Sequence, residues 1–100
     1  MSISPELITE FKERMHLGDH EDEKLGRILS ASEAALKREC GDYDIYIDET
    51  FKELVFERSR YVYNDALEYF HMNFLSQINS LGVDKALEHY AVEEDSDAAV

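Results

Sequence analysis

Cysteine is nearly missing from this chain. Cys40 stands alone, so no disulfide can form within it, and a reducing cytoplasm is the simplest compartment to expect. Proline occurs once and glycine four times in 100 residues, too little turn material for a many-stranded protein, which points to helices. There is no continuous apolar run of bilayer-spanning length. The N-terminus, MSISPELITEFKERM, has no basic segment leading into an apolar one, so neither a membrane span nor export by a standard signal is expected. Basic residues are scarce too: 10 Lys and Arg stand against 23 Asp and Glu, for a net charge of -13. Such a chain lacks the patch that phosphate backbones or anionic lipid would require. The imbalance suits a soluble protein, a ligand for a basic partner, or the lining of a passage from which DNA must be repelled.

What is present is enough to fold. Hydrophobic residues make up 44% of the chain, and its length argues for one domain with a modest core. Ser4 and Pro5 read as a cap and first helical residue, with Leu7, Ile8, Phe11 and Met15 on one face and Leu17 and Gly18 as the stop. Asp19 to Glu23, DHEDE, places negative charge at the start of a second helix, where the macrodipole favours it. Leu25, Ile28, Leu29, Leu36 and Cys40 form its stripe, Ser32 interrupts it, and Gly41 fits a left-handed C-terminal position.

Asp42 to Asp48, DYDIYID, breaks the helical period and alternates, as a short strand or an ordered loop would. Asp48 or Thr50 can cap a third helix that meets no Gly or Pro until Gly82, a rod of about 48 Å at 1.5 Å per residue. Asp84 then caps a short helix through Tyr90. The expected fold is mainly α: a small helical bundle with two short N-terminal helices, an extended connector, one long helix and a short C-terminal helix. It occupies residues 1–92, and an acidic, disordered tail follows over 93–100.

Five of the eleven aromatics fall in RSRYVYNDALEYFHMNF, residues 58–74. On a wheel of about 100° per residue, two apolar stripes emerge from the long helix. One holds Phe51, Val55, Val62, Ala66 and Tyr69; the other holds Phe56, Tyr63, Leu67, Phe70, Phe74 and Leu81. A polar sector carries Glu53, Glu57, Arg60, Asn64, Glu68 and His71. Two short helices have little surface to cover both stripes, so one stripe is expected to meet another subunit. The alternative is that the remaining segments wrap both within the monomer.

The short capped helix, the second helix ending in Gly, the DYDIYID connector and FKELVFERSRYVYNDALEYFHMNFLSQINSLG together resemble the head-tail connector (adaptor) proteins of tailed bacteriophages. The likeness covers most of residues 5–90 and is most specific in ELVFERSRYVYNDALEYFHMNF. It implies a structural virion protein, not an enzyme. Such subunits sit at the head-tail interface after assembly in the host cytoplasm, as a homo-oligomeric ring on the portal protein, commonly of about twelve copies, and the resemblance leaves the free form open between monomer and ring. The ring extends the DNA channel and docks the stopper or tail-completion protein, and DNA passes without specific binding. Tyr63, Leu67, Phe70 and Phe74 are the candidate subunit interface. Tyr43, Ile45, Tyr46 and Ile47 are the candidate partner contact, since an extended segment can add to a strand edge; a loop folded over its own core is the other reading. Glu57, Glu68 and His71 are the candidate lumen-facing groups, against an ordinary solvated face.

Sharper chemistry finds little support. Glu13 with His16 and Glu68 with His71 reproduce the Glu-x-x-His spacing of di-iron bundles, but such a site needs further carboxylates on four long helices aimed inward. DHEDE lacks the alternating ligands and central glycine of a calcium loop. Cys40 reads as a structural thiol, and no phosphate loop, catalytic triad or zinc spacing occurs, so no cofactor or metal is expected. A different class stays open: an acidic DNA mimic that occupies a DNA-binding enzyme. Against it, Arg14, Lys24, Arg27, Lys37, Arg38, Arg58 and Arg60 are interspersed among the carboxylates.

Overall fold

Among the described residues, 3–18 and 21–98, the computed structural model has four helices and no strand: α1 (Pro5–Met15), α2 (Asp22–Cys40), α3 (Glu49–Tyr63) and α4 (Leu67–Ala98). Side chains are described as far as Glu88. The expected disordered tail from Glu93 lies outside the residues whose side chains are described, at the end of α4. The mainly α expectation holds, and the chain extends over 57 × 28 × 17 Å.

The first helix starts as its sequence asks. Ser4 Oγ accepts the Leu7 amide at 3.2 Å, and Pro5 opens the helix, where a missing N–H costs nothing. The stop differs from expectation. His16, not a glycine, takes the left-handed position at φ 58°, and the Leu17 amide closes on the Lys12 carbonyl at 2.9 Å. α2 carries Asp22 and Glu23 in its first turn and runs to Cys40. Gly41 adopts φ 110° with an extended ψ, and a Cβ there would come within 2.6 Å of the Lys85 side chain. Glycine is therefore required by both backbone and space.

Residues 42–48 form a turn, not a strand. Asp44 organises it: its carboxylate accepts the Tyr46 amide at 2.9 Å, and its carbonyl accepts the amides of Ile47 and Asp48. Asp48 then caps α3 by accepting the Phe51 amide at 2.9 Å.

The long third helix is not continuous. It breaks at Asn64–Ala66, with Asp65 left-handed at φ 56° and the Ala66 amide returning to the Tyr61 carbonyl at 2.8 Å. Neither Gly nor Pro marks the site, but Asn and Asp tolerate such a conformation better than most residues. Tertiary packing supplies the reason: the break lets Phe70 and Phe74 return against Tyr61, with ring centroids 5.7 and 5.8 Å away. Conversely, the expected stop at Gly82 and restart at Asp84 do not occur, because α4 passes through both. Gly82 faces the Glu39 carbonyl, where an added Cβ would sit at 3.5 Å. Its small size serves the close packing of α4 on α2.

α2 packs against α1, α3 and α4. Phe11, Leu25, Leu29, Leu36, Phe51, Val55 and Phe56 fill the centre, joined by Phe70, Ile78 and Leu81 from α4. Ser32, which interrupts the α2 stripe, is fully buried and accepts a hydrogen bond from Arg58 at 3.1 Å. Among the described residues, no helix is long and apolar enough to cross a membrane.

Phe70→Ala should lower unfolding free energy by about 3–5 kcal/mol, whereas Met72→Ala, on the outer side of the same helix, should change it by less than about 0.5 kcal/mol. Urea denaturation followed by circular dichroism measures both.

Candidate docking surface

α4 is apolar on two opposite sides. Phe70, Ile78 and Leu81 point inward and are almost fully buried. Roughly half a turn of the wheel away, Tyr69, Met72, Val83 and Leu87 point outward at 55, 74, 56 and 61% exposure. Leu75, Ser76, Asn79 and Ser80 lie between them, and with Met72, Val83 and Asp84 they line a shallow groove along the helix. From Tyr69 to Val83 there is no Asp, Glu, Lys or Arg. An amphipathic helix whose outer side met only water would carry its charges there.

The expected subunit-interface residues are placed differently. Phe70 is 3% exposed and stacks on Phe74 at 5.0 Å, while Phe74 is half-buried against the core. Tyr63 is half-buried too, with its hydroxyl donating to Glu21 at 2.5 Å and Lys24 lying 5.1 Å from its ring centre. That bond to the Glu21 carboxylate pushes the Tyr63 hydroxyl pKa up. Leu67 is the one clearly exposed member of the four. The stripe is thus mostly taken up inside the chain, and the unpartnered apolar surface lies on the far side of α4.

The partner-contact segment divides in two. Tyr43 and Ile45 are buried in the core. The Tyr43 ring stacks on Phe51 at 5.5 Å and its hydroxyl donates to the Leu81 carbonyl at 2.7 Å. Burial is the main cause of a raised Tyr43 pKa. Tyr46 and Ile47 face outward, and the Tyr46 hydroxyl oxygen accepts the Ser4 amide at 2.8 Å.

The polar sector is divided by the break. Glu57 belongs to α3, where it pairs with Arg60 at 3.6 Å, whereas Glu68 and His71 belong to α4. His71 lies 3.5 Å from the Glu39 carboxylate. His16, from the other Glu-x-x-His pair, occupies the left-handed end of α1. Among the described residues, no three His, Cys, Asp or Glu side chains are grouped to hold a metal ion. Cys40 is buried, and desolvation pushes its thiol up to about 11.

Met72, Val83 and Leu87 were not among the expected interface residues. Met72 fell in neither apolar stripe, and Val83 and Leu87 lay past the stop expected at Gly82, whereas α4 runs on through both. The charge-free run from Tyr69 to Val83 is the signal that marks Met72 and Val83. The chain matches no protein-family model, no curated protein and no solved structure.

Because Tyr43 is a core anchor, Tyr43→Phe should cost about 1–2 kcal/mol through the lost bond to the Leu81 carbonyl. Ile47→Ser, in the same turn but exposed, should stay within about 0.5 kcal/mol in the same denaturation assay.

Proposed function

We propose that this chain is a structural assembly subunit, a head-tail connector of a tailed bacteriophage. Its copies form a ring on the portal, extend the DNA channel and dock the stopper or tail. The observation that carries the reading is the outward side of α4, which exposes Tyr69, Met72 and Val83 and is free of Asp, Glu, Lys and Arg over four helical turns in a chain that is 33% charged overall. Leaving a large apolar side chain in water forgoes roughly 1.5–3 kcal/mol, and a row of them favours a protein partner. The net charge of -13 supports the same role, because an acidic lumen repels phosphate and lets DNA pass.

A DNA mimic fits less well. Several surface carboxylates are already neutralised by cations, as in Arg14 with Glu53 at 2.6 Å, Lys52 with Glu10 at 2.8 Å and Arg27 with Glu23 at 3.0 Å. These pairs interrupt any phosphate-like array of charge.

Native mass spectrometry of the chain mixed with a tailed-phage portal protein tests the reading. The expected product is a portal ring carrying a stoichiometric set of copies. Failure to co-migrate at every ionic strength tried would remove the connector role, and capture of a basic DNA enzyme instead would favour the mimic.

A further inference from the structure

The outward side of α4 is neutral in a chain whose copies should repel one another. We propose that this side docks a second copy of the chain, with the two α4 helices antiparallel and crossing between Ser76 and Asn79. The inference rests on reading the chain as an assembly subunit, and it names the surface and the partner of its free form.

Electrostatics selects the occupant. Two bodies of net charge -13 approach at least cost through a surface on which neither presents carboxylates. The run from Tyr69 to Val83 is such a surface, with Glu68 and Asp84 flanking it in sequence. A site built for a basic partner would place acidic groups within the contact, and the groove between Met72 and Val83 has none before Asp84 at its end.

Geometry selects the orientation. In an antiparallel pair centred between residues 76 and 79, Met72 of one copy lies level with Val83 of the other, and Tyr69 falls within one residue of Leu87. Ser76 then lies beside Asn79 at the crossing. Larger apolar groups occupy both ends and small polar ones the centre, where short side chains let the helices approach and can bond across. Antiparallel packing also opposes the two helix dipoles favourably.

Size sets the strength. Tyr69 to Leu87 spans about 27 Å at 1.5 Å per residue, a strip smaller than the ~800 Å² per partner of a standard interface. The pairing is therefore reversible. An isologous pair closes on itself and cannot propagate round a ring, so it is the form of the free chain, and docking on a portal must open it.

Sedimentation velocity on the full chain across a concentration series, at low and at ~0.15 M ionic strength, tests the pairing. The dimer fraction should rise with concentration, and several-fold with salt, because screening relieves the repulsion without weakening an uncharged contact. Met72→Glu and Val83→Glu alter exposed positions, so each should keep the parent thermal transition while weakening dimerisation at least tenfold. Asn79→Cys should yield a disulfide-linked dimer under mild oxidation and Leu87→Cys should not; Cys40 is buried.

A monomer at every concentration, association that weakens with salt, undiminished pairing of both Glu variants, or equal cross-linking at the two cysteine positions would overturn the proposal. The two readings fail separately. Portal binding by a strictly monomeric chain removes the pairing alone, whereas a salt-strengthened dimer that ignores the portal supports the pairing and removes the connector role.

Discussion

At the corner between α3 and α4, Tyr61 packs edge-to-face with Phe70 and Phe74, and those two rings stack on each other at 5.0 Å. Each such ring pair adds about 0.5–1.5 kcal/mol beyond the area it buries. The cluster offsets the left-handed Asp65 backbone, which costs roughly 1–2 kcal/mol for a non-glycine residue. It also decides which side of α4 turns inward. Were α4 rotated by half a turn, Met72 and Val83 would enter the core and Phe70 and Ile78 would face water. The corner aromatics, being larger and able to pair, win that contest.

A second attachment holds the other half of the helix. The Tyr43 hydroxyl bonds the Leu81 carbonyl, the Lys85 ammonium lies 4.3 Å from the centre of the Tyr43 ring, and Cys40 Sγ lies 3.8 Å from the Ile78 carbonyl. Gly41 makes room for the Lys85 side chain. α4 is thus held near Phe70 by rings and near Leu81 by the 41–45 turn, leaving little freedom in its rotation. Ion pairs contribute less. Arg14 to Glu53 and Lys52 to Glu10 tie α1 to α3, but partly exposed pairs are worth about 1 kcal/mol or less. Their effect is mainly on charge distribution, since they gather scarce cations at the α1–α3 seam.

Local signals in the chain were legible where a single residue type has one physical use. Ser4 with Pro5, Asp48 before Phe51, and Gly41 after Cys40 all mark the boundaries where they are found. The mainly α class followed from the shortage of glycine and proline. The corner at 64–66 was not legible, because Asn64 and Asp65 are compatible with a helix and become a break only when distant rings pull α4 back. Gly82 misled for the converse reason: its smallness serves contact with α2 and not termination. The first error joined α3 and α4 on one wheel, although periodicity carries no information across a change of axis, and the second ended the helix before Val83 and Leu87.

Exposed apolar residues are ordinary when scattered, and Met72 or Leu87 alone would mean nothing. What packing within the chain leaves unexplained is their alignment together with the loss of charge around them. In a sequence that is 33% charged, substituting Lys or Glu at Met72, Ser76, Asn79 or Val83 would disturb no core contact. It would also improve solvation of the helix. Packing within the monomer gives no account of the neutrality of this side, and the pairing proposed above does. A like-charged neighbour is the partner for which neutrality matters most, because every carboxylate added to one surface is added to both.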